Sequence, residues 1–133
     1  CAFALAHTKT SGLIERRKKI LYQYVNSFEK IKEIQLVVKL DETWNFAYAP
    51  FYLSSLETRD KLAGYLENHG IITRKYFYPP LHKMDAFKLY TNPSTKFPNS
   101  ENFANKILCL PLFPSIQDYE VQYVIKKVKQ FFC

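Results

Sequence analysis

The stretch Arg74-Lys75-Tyr76-Phe77-Tyr78-Pro79-Pro80-Leu81-His82 packs two cations, three aromatics, a proline pair and a histidine into nine residues. It is too polar for a plain core strand and too aromatic for a plain loop. In an extended segment alternate residues share a face, so Arg74, Tyr76 and Tyr78 are expected on one side and Lys75 and Phe77 on the other. An arginine beside two phenols can hold an anionic or hydroxyl-rich ligand, because guanidinium forks onto phosphate and phenols give directed hydrogen bonds. Pro79-Pro80 stiffens the exit and presents His82 at its end. The same residues also suit an ordinary strand whose aromatics fill the core and whose arginine is solvated; the local sequence leaves both open.

Working outward, Ile71–Tyr78 reads as a strand, and Gly70 before it stops a helix over about residues 56–69. Ser54 or Ser55 caps that helix, with Glu57 completing a capping box with Ser54. Leu56, Leu62, Ala63 and Leu66 line its buried side, and His69 suits the dipole of its C-terminus. Two shorter strands precede it, at Gln35–Leu40 and Phe46–Leu53. They are joined by the turn chemistry of Asp41-Glu42-Thr43-Trp44-Asn45, where Asn45 tolerates an unusual backbone angle. Pro50 cannot donate to a ladder, so the second strand is expected at an edge or with a bulge. Further upstream, Ile14, Leu21, Tyr24, Val25, Phe28 and Ile31 recur at helical steps over residues 13–33, and Ala2–His7 extends the same pattern. Gly12 is then a weak point in this helix.

Downstream, residues 83–98 are mixed, with a helical turn near Asp85–Leu89 and a turn at Asn92-Pro93-Ser94. Asn99 or Ser100 caps a helix through Leu108, and Cys109–Leu112 is a short buried strand. Ser115 and Asp118 form a capping box for a last helix with the stripe Val121, Val124, Ile125, Val128 and Phe132. The order predicts an α+β fold, a small mostly antiparallel sheet packed with helices on one side, as a single domain over residues 1–133.

Composition agrees. The chain has 133 residues, 47% hydrophobic and 23% charged, which fits one soluble domain. No apolar stretch approaches the ~18 residues of a membrane span, and the N-terminus lacks a secretory signal. No GxGxxG turn or P-loop is present. Cys1, Cys109 and Cys133 are far apart, and His7, His69 and His82 do not give metal-ligand spacing, so no metal is expected. Cys109 reads as a buried inert thiol, His7 as a packing residue, and a reducing cytoplasm as the default location. The net charge of +7 collects in Arg16-Arg17-Lys18-Lys19, Arg74-Lys75 and Lys126-Lys127-x-Lys129. These clusters are either solvated helix faces or a surface for phosphate-rich partners.

Several segments together carry a family resemblance. Leu13-Ile14-Glu15-Arg16-Arg17 and Tyr24 are followed by Arg59-Asp60-Lys61-Leu62 running to Gly70-Ile71, then by Arg74–His82. Ile107–Pro114, with its Leu110-Pro111-Leu112-Phe113-Pro114, and Val121–Val124-Ile125 close the set. In this order the segments resemble the C-terminal part of the DegT/DnrJ/EryC1/StrS family of pyridoxal-phosphate (PLP) sugar aminotransferases. The resemblance implies the small C-terminal domain of a fold-type I PLP enzyme. Such an enzyme moves an amino group, usually from glutamate, onto a nucleotide-linked keto-sugar.

It further implies that the cofactor lysine and the groups holding PLP lie in a large N-terminal domain with no counterpart here. The chain, which begins at Cys1, is therefore expected to be one piece of a homodimeric enzyme. It is inactive alone, binds no PLP alone, and supplies part of the substrate cleft. By position His82 is the first candidate for touching the nucleotide sugar, followed by Tyr76, Tyr78 and Arg74; no catalytic residue is assigned. Two other classes stand beside this reading. One is a basic nucleic-acid-binding module with strand aromatics as a stacking platform, against which the absence of an RNP-type signature argues. The other is a non-catalytic scaffold. If the chain is one piece, the apolar stripe of residues 13–31 and the Tyr/Phe-rich strand should partly face the missing domain as an exposed apolar patch.

Overall fold

The 13–33 periodicity becomes helix α1, Thr10–Phe28, with Ile31 held just beyond it by its N–H to the Phe28 carbonyl (2.8 Å). The computed structural model describes residues 10–38, 44–90, 92 and 95–133. Ala2–His7, His7 itself, the end of the first predicted strand at residues 39–40 and the turn residues 41–43 lie outside them. After α1 come strands β1 (Ile34–Leu36) and β2 (Ala49–Leu53), and helix α2 (Leu56–Glu67). Two 3-10 turns follow (Leu81–Lys83 and Asp85–Tyr90), then helix α3 (Pro98–Lys106), strand β3 (Ile107–Leu110) and helix α4 (Asp118–Phe132). The architecture is the α+β one expected, with an antiparallel sheet in the order β1-β2-β3.

One face of the sheet is the core face. Ala49, Phe51 and Leu53 of β2, with Leu108 and Leu110 of β3, pack against Ile20, Leu21, Tyr24 and Phe28 of α1, Leu62 and Leu66 of α2, and the α4 stripe. Phe51 meets Phe28 edge to face at 5.6 Å and Tyr24 at 6.5 Å, the geometry aromatic rings prefer. Tyr24 turns its hydroxyl out of this cluster to donate to the Pro111 carbonyl (3.0 Å). Leu21, Tyr24 and Phe28 of the α1 stripe are therefore covered within the chain, while Ile14, Val25 and Ile31 of the same stripe are only partly buried. The other sheet face carries Pro50, Tyr52, Ile107 and Cys109. There α3 leans in, its Phe103 ring 6.1 Å from Tyr52 and its Asn102 amide donating to the Tyr52 hydroxyl (2.8 Å). The helices are thus not all on one side.

Pro50 sits in the central strand, not at an edge. Its partner on β3 is Cys109, whose own N–H and carbonyl bond to Arg74 instead. The missing Pro50 N–H therefore points toward the β1 side, where the ladder has just ended at Leu36. The Pro50 carbonyl still serves that side, accepting from the Val37 N–H (3.2 Å). Proline costs one bond here, the N–H it would return to the Val37 carbonyl opposite, and it is tolerated because the β1–β2 ladder ends at this point.

The third predicted strand is reduced to one bridge, Arg74 opposite Cys109. Its extension is blocked at both ends. In this register Ile72 would face Pro111, which has no N–H. Tyr76 would face Ile107, whose N–H closes α3 on the Phe103 carbonyl.

Helix ends shift by a residue or two from the sequence reading. Ser55, not Ser54, caps α2, its hydroxyl accepting from the Thr58 N–H (3.0 Å), while Glu57 pairs with Lys61 (2.7 Å). Pro98 opens α3 ahead of the expected Asn99 or Ser100, since its fixed φ and absent N–H suit the first helical position. Gln117 rather than Ser115 precedes α4. Its backbone N–H bonds the Glu120 carboxylate (2.7 Å), and Asp118 is engaged by Arg16 (2.7 Å). Gly70 ends α2 at φ +75, which lets the Ile71 N–H return to the Leu66 carbonyl (2.9 Å). His69 caps the same end through Nδ1 and the Tyr65 carbonyl (2.8 Å). The unusual backbone angle falls on Phe46 (φ 50), and Asn45 supports it by accepting from the Ala47 N–H (3.0 Å).

Candidate functional site

The Arg74–His82 run crosses the uncovered end of the sheet, and its side chains separate into three groups. Arg74 and Tyr76 stay together: Arg74 Nη1 donates to the Tyr76 hydroxyl at 2.8 Å, and the Tyr76 ring lies 4.8 Å from that of Tyr48. This trio lines a concavity of about 320 Å³ with Ile72, Cys109, Leu112 and Phe113 among its walls. No carboxylate pairs with Arg74 among the described residues. A cation, two phenols and apolar walls suit a ligand that carries negative charge beside a flat or hydroxylated body.

Tyr78 leaves that group. The expected shared face of Arg74, Tyr76 and Tyr78 fails because no ladder holds the run extended beyond Arg74. Tyr78 instead lies over the guanidinium of Arg59, 4.6 Å from ring centre to Cζ. Arg59, on the first turns of α2, is fully buried. Its Nε lies 2.8 Å from Asp60 and its Nη1 donates to the Ala104 carbonyl of α3 (3.3 Å). Its Nη2 has no hydrogen-bond partner among the described residues. Asp60 in turn accepts from Lys75 (2.6 Å). Desolvation would raise the Asp60 carboxyl, but the Lys75 hydrogen bond and the Arg59 charge outweigh it and hold the group below its ordinary value.

His82 forms the third group. It lies on a 3-10 turn, its Nε2 3.2 Å from Glu101 of α3 and its ring 4.8 Å from Phe97. Lys83 Nζ also donates to Glu101, at 2.5 Å. The Lys83 hydrogen bond, aided by His82, keeps Glu101 below the usual carboxylate range. His82 and Glu101 border a polar hollow of about 360 Å³ with Asn92 and Thr95.

Between the groups runs an apolar groove of about 770 Å³, walled by Trp44, Tyr48, Tyr76, Phe77, Leu81 and Phe103 among others. Phe77 is 72% exposed and Leu81 60%. The exposed apolar patch expected of the aromatic run is therefore present. Sequence reading missed Tyr48, Arg59 and Glu101 as members of this region. Arg59 was visible only as part of a family segment; nothing local marks an arginine as buried.

Six lysines among the described residues are already engaged, which bears on the PLP that the family resemblance implies. That cofactor needs a lysine amine free to condense with its aldehyde and an acid against its ring nitrogen. Lys61, Lys75 and Lys83 are each tied to a surface carboxylate, and Lys18, Lys106 and Lys127 lie over aromatic rings. Of the basic clusters, Arg16 is turned inward onto α4, so Arg16–Lys19 is not one continuous cationic face. No helix among the described residues is long and apolar enough to cross a membrane, and none of their His, Cys, Asp and Glu side chains cluster to hold a metal. Cys109 is buried, which pushes its thiol up to about 11.

Comparison with known proteins gives this geometry a setting. The chain is 33% identical over 118 residues to a dTDP-4-dehydro-2,3,6-trideoxy-D-glucose 4-aminotransferase of Saccharopolyspora spinosa, covering 87% of this chain and 29% of that protein. It is 27% identical over 118 residues to a "pleiotropic regulatory protein" of Geobacillus stearothermophilus, covering 89% and 32% respectively. Among solved structures, the apo form of Spr1654 from Streptococcus pneumoniae superposes with a TM-score of 0.82 at 26% identity, over 92% of this chain and 31% of that one. The same pneumococcal protein has been solved in a PLP form. The chain thus spans about a third or less of each relative. A sequence model of the DegT/DnrJ/EryC1/StrS aminotransferase family matches residues 1–129, and the chain belongs to that family.

Proposed function

We propose that this chain is the C-terminal small domain of a PLP-dependent aminotransferase that transfers an amino group, with glutamate as donor, to a nucleotide-linked keto-sugar. In this reading PLP and its lysine belong to a large N-terminal domain of the same polypeptide, the enzyme works as a homodimer in the cytoplasm, and the chain alone is inactive. PLP, when bound, supplies the electron sink for amino transfer. The residues described above bind and orient the sugar nucleotide beside it.

The observation that carries the reading is the pairing of Arg74 with Tyr76 at 2.8 Å over an open concavity, with no carboxylate claiming the guanidinium among the described residues. A diphosphate needs such a cation, and the Tyr48–Tyr76 pair offers a surface for a flat base or a sugar. His82, its ring braced by Glu101 and Phe97, stands at the far side of the run to hydrogen-bond the sugar or its phosphate. Tyr78, stacked on Arg59, supports the run from behind. The relatives named for dTDP-sugar amination support the substrate class.

The test is to express the full-length protein with PLP and follow its absorbance on adding L-glutamate, then on adding a nucleotide-linked 4-keto-sugar. Glutamate should convert the bound cofactor, and the keto-sugar should regenerate it with release of an amino-sugar nucleotide. A protein that binds PLP but passes no amino group to any nucleotide-linked keto-sugar would sink the reading.

A further inference from the structure

Arg59 stands out because its burial is not accounted for by stability. A buried cation costs desolvation free energy, and apolar replacements of buried ion pairs are often neutral or stabilising. Here the guanidinium has one half-exposed carboxylate partner, Asp60, and leaves Nη2 without a partner among the described residues. A methionine of similar reach would fill the space at lower cost. What an arginine supplies there is direction: a rigid planar fork that meets several groups at fixed angles.

Those groups lie on separate parts of the site. The Tyr78 ring packs on the guanidinium face, and Nη1 reaches the Ala104 carbonyl on α3. Through Asp60 the same turn of α2 also grips Lys75. The run is therefore clamped on both sides of Tyr76-Phe77, the segment that places Tyr76 against Arg74 and Tyr48. The α3 contact bears on the other candidate, because α3 carries Glu101, which holds His82. One side chain thus ties the Arg74–Tyr76 group to the His82 group without itself lining either hollow.

We propose that Arg59 is the positioning residue of the substrate cleft, fixing the run at Tyr78 and helix α3 so that Tyr76 and His82 meet one nucleotide-sugar ligand together. This inference rests on the reading under Proposed function. Arg59 does not touch the ligand; it sets the distance between the groups that do. Small displacements of such groups are costly to binding and rate.

The experiment uses the full-length PLP-loaded protein. Calorimetry gives the Kd for dTDP, UDP and GDP, each alone, and absorbance gives the rate of the L-glutamate half-reaction, which needs no nucleotide. For the tightest nucleotide, Arg59→Met should weaken binding about tenfold or more, with Arg59→Lys in between. The glutamate half-reaction should stay within about twofold of wild type. Asp60→Asn, at a half-exposed position that leaves the core intact, should weaken binding about threefold; with Arg59→Lys it decides the matter if Arg59→Met does not fold. Unchanged nucleotide affinity in folded variants overturns the proposal and makes Arg59 a packing residue. So does a parallel fall of nucleotide binding and the glutamate half-reaction. A wild-type protein that binds none of the three nucleotides overturns the substrate reading itself, and this inference with it.

Discussion

Arg16 Nη1 lies 2.7 Å from the Asp118 carboxylate, across a sequence separation that joins the first helix to the start of the last. Its Nη2 donates to the Ile116 carbonyl, also at 2.7 Å. The carboxylate sits in the first turn of α4, where the helix dipole already favours negative charge. One guanidinium therefore fixes the angle at which α4 enters the core.

A pH dependence follows. The Arg16 hydrogen bond and charge hold the Asp118 carboxyl below its ordinary value. A depressed folded value contributes stability above the ordinary aspartate pKa of about 3.9, and loses it as pH falls through the folded value. Arg16→Met should lower Tm most at neutral pH, and the gap from wild type should narrow below about pH 4. The lost Ile116 contact leaves a residual difference at every pH. Thermal unfolding between acidic and neutral pH checks it; a gap that stays constant would mean that Asp118 adds nothing.

Tyr24→Phe tests the other tie between α1 and the loop after β3. The ring is fully buried, burial pushes its phenol up, and its hydroxyl is bonded to Pro111. The phenylalanine keeps the packing with Phe28 and Phe51 and leaves one carbonyl without its donor. The expected loss is about 1 kcal/mol, read as a lower urea midpoint at unchanged slope. A neutral result would show that water replaces the phenol at Pro111.

Much of this arrangement could be read from the chain before folding. The stripe Val121, Val124, Ile125 and Val128 and the pattern of Leu21, Tyr24 and Phe28 state directly which helix faces are buried, because a helix repeats every 3.6 residues whatever surrounds it. The Arg74–Tyr76 pair was legible for the same local reason. What failed was set by partners remote in sequence. Pro50 is central because Cys109 turns its hydrogen bonds to Arg74. Tyr78 leaves the Arg74 face because Ile107, in closing α3, withholds its N–H from the ladder. Arg59 is buried because α3 arrives over it, which no nearby residue announces.

Cys109 and Cys133 should differ sharply toward a thiol reagent. Cys109 is buried in β3 with its thiol pushed up to about 11, and Cys133 is exposed. Since the thiolate is the nucleophile, alkylation at pH 8 followed by peptide mapping should label Cys133 quickly. Cys109 should be labelled only once denaturant opens the sheet. Equal labelling in native buffer would show that the edge of β3 beside Arg74 opens readily.

The substrate reading makes its sharpest demand on Arg74. An arginine with no carboxylate partner among the described residues, hydrogen-bonded to the Tyr76 hydroxyl, keeps its charge available for an anion. In the full-length enzyme Arg74→Gln should raise KM for the nucleotide sugar by about tenfold, the value of one solvent-facing charge-assisted hydrogen bond. It should leave the glutamate half-reaction alone, because that step involves no diphosphate. His82→Ala should do the same if it meets the sugar or its phosphate. Added salt should weaken wild-type binding more than Arg74→Gln binding, since only the former relies on the cation. Should Arg74→Gln leave KM and its salt dependence as they were, the diphosphate must lie elsewhere. The Arg74–Tyr76 pair would then only finish the sheet edge.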